Sequence, residues 1–216
     1  NFERRGHFLI VEEIMSKNVV TLQPEDTIQK SIEVMRDFNI RHIPIVDQNH
    51  LLVGLISTQD IRSATPSIFH ATDSLEDFQK PISTIMKTNV ITGHPLDFVD
   101  EIAFTFYTHK IGCVPILKEK KLVGILSETD LLHTFVKLTG AHKPGSQIQV
   151  KAPNKPGILS DITSIFKTKN ALILSILMYP DIQDENFNVI VIKVQTMNPL
   201  SIVTELRNND FEVLWP

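Results

Sequence analysis

Gly54-Leu55-Ile56-Ser57-Thr58-Gln59-Asp60 returns later in the chain as Gly124-Ile125-Leu126-Ser127-Glu128-Thr129-Asp130. Each copy follows an apolar run with strand propensity and precedes a helical pattern, so it reads as a strand breaking into a helix. Serine stands at the N-cap position and aspartate three residues on, in the first turn. That spacing satisfies orphan N–H groups as a capping box. It also fits a nucleotide site. A helix N-terminus attracts phosphate, a serine hydroxyl adds a hydrogen bond, and an aspartate accepts from ribose hydroxyls.

The recurrence belongs to a longer duplication. Ile14-Met15-Ser16-Lys17-Asn18-Val19-Val20-Thr21 aligns with Ile85-Met86-Lys87-Thr88-Asn89-Val90-Ile91-Thr92. The same register pairs Pro24 with Pro95, Asp26 with Asp97, Ile40 with Ile111 and Pro44 with Pro115. One residue is lost in the polar turn near Asn49, where loops tolerate length change. The register then carries Leu52-Val53-Gly54 onto Leu122-Val123-Gly124.

Each copy is expected to open on a short helical turn ending at Met15 or Met86, followed by a brief strand at Val19–Leu22 or Val90–Thr92. Pro24 and Pro95 fit a first helical position. The helix from about Glu25 to Asn39 carries Ile28, Ile32, Met35 and Phe38 on one buried face, and its counterpart carries Val99, Ile102, Ala103 and Phe106. Strands at Ile43–Val46 and Leu52–Ser57 (Val114–Leu117 and Leu122–Ser127) precede the last helix. The order is β-α-β-β-α, and a core this small predicts that two copies pack together.

The last seventy residues follow another pattern. Gln147–Ala152 alternates like a strand, Asn154-Lys155-Pro156-Gly157 is a turn, and Ile158, Leu159, Ile162, Ile165 and Phe166 mark a helix. Strands are expected at Ala171–Tyr179 and Phe187–Thr196. A helix with Asn198 as N-cap and Pro199 at its first position should follow, then a strand at Phe211–Trp215. The order β-α-β-β-α-β is a ferredoxin-like split βαβ. The expected fold class is therefore α/β (α+β).

With 216 residues, a net charge of -4 and 42% hydrophobic residues, the chain has an ordinary globular composition. It lacks the clustered basic charge of a nucleic-acid or membrane surface. No apolar run spans a bilayer. Asn1–Phe8 does not read as a signal peptide; it reads as an added remnant or a flexible arm. The single cysteine, Cys113, leaves no intramolecular disulfide framework, fits a reducing cytoplasm, and reads as a small buried hydrophobe. Eight histidines show no metal-ligand grouping, and there is no P-loop, Gly-x-Gly-x-x-Gly or Gly-x-Ser-x-Gly.

The repeats resemble CBS domains, on three features. These are the Ile-Met…Val-Val-Thr opening, the Ile-Pro-Ile or Val-Pro-Ile strand, and the Gly-x-x-Ser-x-x-Asp turn. The resemblance implies a pseudo-twofold disc with two clefts for adenosine nucleotides. The C-terminal segment resembles an ACT domain, with Asn154 where that family usually has an acidic residue before Pro-Gly. The expected divisions are an arm at 1–10, CBS domains at 11–64 and 84–140, a connector at 65–83 carrying Pro66, Pro81 and a short amphipathic piece from Ser74 to Gln79, a linker at 141–146, and an ACT domain at 147–216. The CBS–CBS–ACT order, with stretches such as Phe135-Val136-Lys137-Leu138-Thr139-Gly140, is similar to a family of acetoin utilisation proteins. That similarity implies a regulatory role, with a partner enzyme, in acetoin or acetate metabolism.

On this resemblance the nucleotide-binding residues are Ser57, Asp60, Ser127 and Asp130. Arg41 and His42 stand before the Ile-Pro strand, where they reach a phosphate or form a solvated helix-end pair. Thr21, Thr92, Pro44 and Pro115 are expected on the adenine side. Gly112 and Cys113 replace the Arg41-His42 pair in the second copy. If each cleft takes its groups from one copy, the Ser57–Asp60 cleft prefers di- or triphosphates and the other is indifferent to phosphate count; if pairing of the copies instead brings a basic side chain to the Ser127–Asp130 cleft, Lys87 is a candidate for it. Asn154, Gly157 and Ile158 form either a turn or an amino-acid site. Trp215 reads as a core anchor.

The expected protein is non-enzymatic, requires no cofactor or metal, and binds AMP, ADP or ATP as a regulatory ligand. It is expected as a cytoplasmic homodimer without nucleic-acid or membrane partners. The alternatives are a ligand-independent dimeric scaffold, an amino-acid sensor acting through the ACT segment and, against the absence of a clustered nucleophile, base or metal set, an enzyme.

Overall fold

A computed structural model describes residues 9–64 and 74–215. The arm expected at Asn1–Phe8 and Pro66 of the connector lie outside the described residues. The chain divides into two compact units between Leu131 and Leu132.

In the first unit, α1 (Val11–Ile14) and α2 (Ile28–Asp37) precede a hairpin of β1 (His42–Val46) and β2 (Leu52–Ser57), then α3 (Thr58–Ala64) and α4 (Ser74–Phe78). A 3-10 turn at Ile82–Thr84 opens the second copy, with α5 (Val99–His109), β3 (Cys113–Lys118), β4 (Lys121–Ser127) and α6 (Glu128–Leu138), a helix that runs across the division at Leu131. The hairpins β1–β2 and β3–β4 are antiparallel.

The opening of each copy is built into the other copy's core. Lys87 exchanges two backbone hydrogen bonds of 2.9 Å with Leu55 on β2. Ser16 exchanges its own pair, 2.9 and 3.0 Å, with Ile125 on β4. Ile82, Ile85 and Met86 accordingly pack with Ile28, Ile43 and Ile56, whereas Val11, Ile14 and Met15 pack with Ile102, Val114 and Leu126. This crossing explains the glycine of the repeated turn. A Cβ on Gly54 would lie 2.7 Å from Met86 Sδ, and one on Gly124 would collide with Met15 Sδ.

Several local expectations change. Val19–Leu22 and Val90–Thr92 form no strand. The first gives one parallel bridge, Leu22 to Ile45, and the matching bridge in the second copy falls just past the expected stretch, Gly93 to Ile116. Pro24 and Pro95 lie before their helices, because Asp26 and Asp97 accept hydrogen bonds from Gln23 N–H (2.8 Å) and His94 N–H (2.7 Å) and close a turn there. Helix α2 therefore starts at Ile28, with the Thr27 hydroxyl accepting from Lys30 N–H. Phe38 leaves the buried stripe and is 59% exposed, since the helix ends at Asp37.

The second unit holds β5 (Ser146–Pro153), α7 (Ile158–Thr168), β6 (Ile173–Pro180), β7 (Phe187–Val194), α8 (Leu200–Asn208) and β8 (Glu212–Trp215). The sheet order is β6-β7-β5-β8, the split βαβ arrangement read from the sequence. Ile148, Val150, Ile190 and Ile192 line its buried face against Ile162, Phe166, Val203 and Leu206 of the two helices. Pro199 occupies the N-cap position rather than the first turn of α8, and Asn198 Oδ1 accepts from Leu200 N–H at 3.2 Å. Trp215 is not a core anchor; at the end of edge strand β8 it is 61% exposed. Among the described residues no helix is long and apolar enough to cross a membrane.

Candidate functional site

The repeated strand-to-helix turn forms the same capping box twice. Asp60 Oδ2 accepts from Ser57 N–H (2.9 Å) and Ser57 Oγ–H (2.5 Å), and Asp60 N–H reaches back to Ser57 Oγ (3.3 Å). Asp130 and Ser127 repeat the set at 2.8, 2.6 and 3.4 Å. The carboxylates are thus fixed in direction by their own backbone before any ligand arrives. Each faces a cavity.

The cavity at Ser57 and Asp60 measures about 190 Å³ and takes its opposite wall from the second copy: Lys87, Asn89, Val90, Ile91, Lys110, Ile111, Gly112 and Cys113. The cavity at Ser127 and Asp130 measures about 320 Å³ and is walled by the first copy: Ser16, Asn18, Val19, Val20, Asn39, Ile40, Arg41, His42 and Pro44. Asn18 matches Asn89, Ile40 matches Ile111 and Arg41 matches Gly112, so each cavity uses the same repeat positions with the copies exchanged.

The exchange corrects the assignment of Arg41. It lines the Ser127–Asp130 cavity and not the cavity of its own copy. The premise that each cleft draws on one copy fails, because the crossed openings bring the walls across. Lys87, the candidate basic group for the Ser127–Asp130 cleft, lines the other cavity instead, with its Nζ 3.3 Å from Asp60 Oδ1. Its repeat mate facing Asp130 is the neutral Ser16.

Of the other expected residues, Pro44 and His42 line a cavity, and Thr21, Thr92 and Pro115 line neither. Val19-Val20 and Val90-Ile91, just upstream of the threonines, supply those walls, while Pro115 is buried opposite Ile125 in the hairpin. Asn18 and Asn89 were not singled out as site residues, although both lie in the repeated Asn-Val-Val/Asn-Val-Ile opening.

Two residues, His42 and Cys113, line both cavities. Cys113 is 3% exposed, and burial pushes its thiol up to about 12, so it contributes packing and no charge. Burial likewise holds the His42 imidazole below its ordinary value, helped by the nearby Arg41 charge and opposed by Asp60 and Glu128.

In the second unit Asn154 Oδ1 accepts from the buried Asn188 Nδ2 at 3.0 Å, and Gly157 takes a left-handed φ of 86° that lets the chain enter α7. The Ile158 side chain is buried in the core of that unit. Among the described residues no group of three or more His, Cys, Asp or Glu side chains is placed to hold a metal ion.

The family model described as CBS domain matches residues 11–67 and 82–137, together more than half of the chain. The chain is 31% identical to the CBS domain-containing protein YhcV of Bacillus subtilis, over 56% of this chain and 81% of that one. A Vibrio cholerae structure assigned to acetoin utilization (AcuB) superposes with a TM-score of 0.56 at 30% identity, covering 63% of this chain and 96% of that one. The CBS domain pair of protein MJ0100, solved with 5'-methylthioadenosine and S-adenosyl-L-methionine, gives 0.52 at 31% identity, covering 63% of this chain and 99% of that one. Some matched curated proteins carry enzyme names, among them a homoserine O-acetyltransferase from Methanococcus vannielii at 33% identity. The match takes in 58% of this chain and 25% of that enzyme, and the chain spans about a quarter of the length of such relatives.

Proposed function

The chain belongs to the CBS domain family, and from that premise we propose that it is a regulatory protein whose CBS pair senses an adenosine ligand of the AMP, ADP or ATP type. The observation that carries this reading is the pair of cavities, each with a serine-oriented aspartate on one side and the apolar Asn-Val segment of the other copy opposite. A fixed carboxylate accepts from ribose hydroxyls, and the apolar wall suits a base. The adenosine compounds bound by the MJ0100 pair support the ligand class.

CBS-domain regulatory proteins are generally non-catalytic, and we assign no reaction to this chain. A role in acetoin or acetate metabolism, acting on a partner enzyme, is supported by the Vibrio cholerae likeness. The divisions expected from the sequence are kept as proposals, with residues 147–216 as an ACT domain, and with them the use of that segment for dimerisation or for a second ligand at Asn154 and Gly157. Its strand order supports the ACT assignment. A ligand that favours one of two arrangements of the pair shifts the protein toward it.

The experiment is a thermal-shift series with adenosine, AMP, ADP and ATP. A ligand that binds the folded chain raises its melting temperature by mass action. The doubly substituted Asp60→Ala, Asp130→Ala protein is expected to lose the shift. If it binds as tightly as the native chain, the aspartates do not hold the ribose.

A further inference from the structure

His42 reaches both cavities from one position on β1. It pairs with Ser57 in the hairpin, beside the Asp60 cap. Its ring crosses toward the second copy, where a Cβ on Gly112 would lie 2.9 Å from Cε1 and 3.1 Å from Nε2. The same point is 3.9 Å from Glu128 Oε2 on α6. Four charged groups act on the imidazole: Arg41 beside it, Lys87 from the opening of the second copy, Asp60 on α3 and Glu128 on α6. Two are cationic and two anionic. Burial is the largest influence on the ring, and whatever enters the cavities adds its charge to these four.

We propose that His42 is a phosphate-selecting residue shared by both clefts, taking up a proton when an anionic group enters either one and serving one cleft at a time. The inference rests on the nucleotide reading above. Its physical basis is the usual response of imidazole to a neighbouring anion. With the clefts empty, burial and Arg41 disfavour the imidazolium. A phosphate in van der Waals reach of the ring reverses that balance and gains a charge-assisted hydrogen bond. Cys113, the other shared residue, carries no charge near neutral pH and cannot substitute. Two phosphorylated ligands then compete for one imidazolium, whereas two uncharged ligands do not.

The test is calorimetry of AMP and of adenosine with the full chain, in two buffers of different ionisation enthalpy, for native protein and His42→Gln. Native protein is expected to take up more protons per AMP than His42→Gln, the difference removing any proton taken by the AMP phosphate itself. Adenosine should take up none in either protein. AMP affinity should rise as the pH falls from 7.5 to 6.5, by at most about tenfold per pH unit for one proton, and less in His42→Gln. Equal proton uptake in the two proteins overturns the proposal while leaving nucleotide binding intact. Failure of both AMP and adenosine to bind native protein overturns both readings. The His42 ring resonance, titrated in native protein with and without AMP, gives an answer that needs no variant. Its pKa must rise on binding, and an unchanged value overturns the proposal.

Discussion

The His42 imidazole lies against the Cα of Gly112, the residue that stands in the second copy where the first has Arg41. A side chain from one copy thus occupies space that a glycine leaves in the other. Gly112→Ala puts a methyl 2.9 Å from Cε1 and forces the ring aside. The ring is the end of a movable side chain, so the expected loss is about 1 kcal/mol, at the low end for overpacking. Chemical denaturation should show that loss in Gly112→Ala and little further loss when His42→Ala is combined with it, a non-additive cycle. Additive losses would mean that the two residues do not share the space.

Arg41 and Asp130 face one cavity, and Arg41 and Asp60 do not. ATP binding should therefore show coupling between Arg41→Ala and Asp130→Ala and additivity between Arg41→Ala and Asp60→Ala. Loss of the guanidinium is expected to cost about 1.5–3 kcal/mol of phosphate binding, the range for a hydrogen bond to a charged group. Calorimetry on the three single and two double variants measures this, and the reverse pattern of coupling would return Arg41 to the cleft of its own copy.

Arg41 marks the line between what is local in this sequence and what is not. The offsets that align Met15 with Met86 and Asp60 with Asp130 made the repeats and both turns legible, because hydrophobic period and cap spacing are local. The partner of Gly54 is not local. Only folding brings Met86 onto it, and the same crossing carries Lys87 to Asp60 and Arg41 to Asp130. Local competition also decided smaller points. Asp26 takes the N–H of Gln23 and delays α2 beyond Pro24, an outcome the Pro24 signal alone does not contain. In the second unit, alternation in Gln147–Ala152 gave β5, yet no local signal showed that Trp215 would end an exposed edge strand.

Stability should depend on pH through His42. Its folded-state pKa lies below the unfolded value, so the unfolded chain binds the proton more readily. The contribution is full above about pH 6.5, the unfolded value, and declines as the pH falls toward the folded-state value. Denaturation midpoints of ligand-free protein between pH 5 and 8 should fall on the acid side less steeply in His42→Gln than in the native chain. Identical profiles would remove His42 from the linkage.

Cys113 is expected to resist iodoacetamide at pH 8 in the folded protein, because the thiolate is the reactive form and burial pushes this thiol up to about 12. In denaturant it should react at the rate of a free thiol. Rapid labelling of the native chain, read by mass spectrometry, would contradict the burial.

A homodimer is the closed assembly expected of a chain with exposed apolar side chains such as Phe104, Tyr107 and Met178. Light scattering should return twice the 24.5 kDa chain mass. A monomer at micromolar concentration would reject it.

The crossed openings also set an order on synthesis. Ile28 N–H bonds to Lys80 O, Ile82 N–H to Asp26 O, and β2 gains its outer partner only at Lys87. A ribosome that has released Asp60 has therefore made every residue of the first turn motif but not the Lys87 segment that bridges to β2. Nascent chains stalled just after α3 should be open to protease, and those stalled after Ile91 has cleared the exit tunnel should protect the first hairpin. The duplication is in this sense obligatory: a lone copy could close its core only by borrowing the missing opening from another molecule.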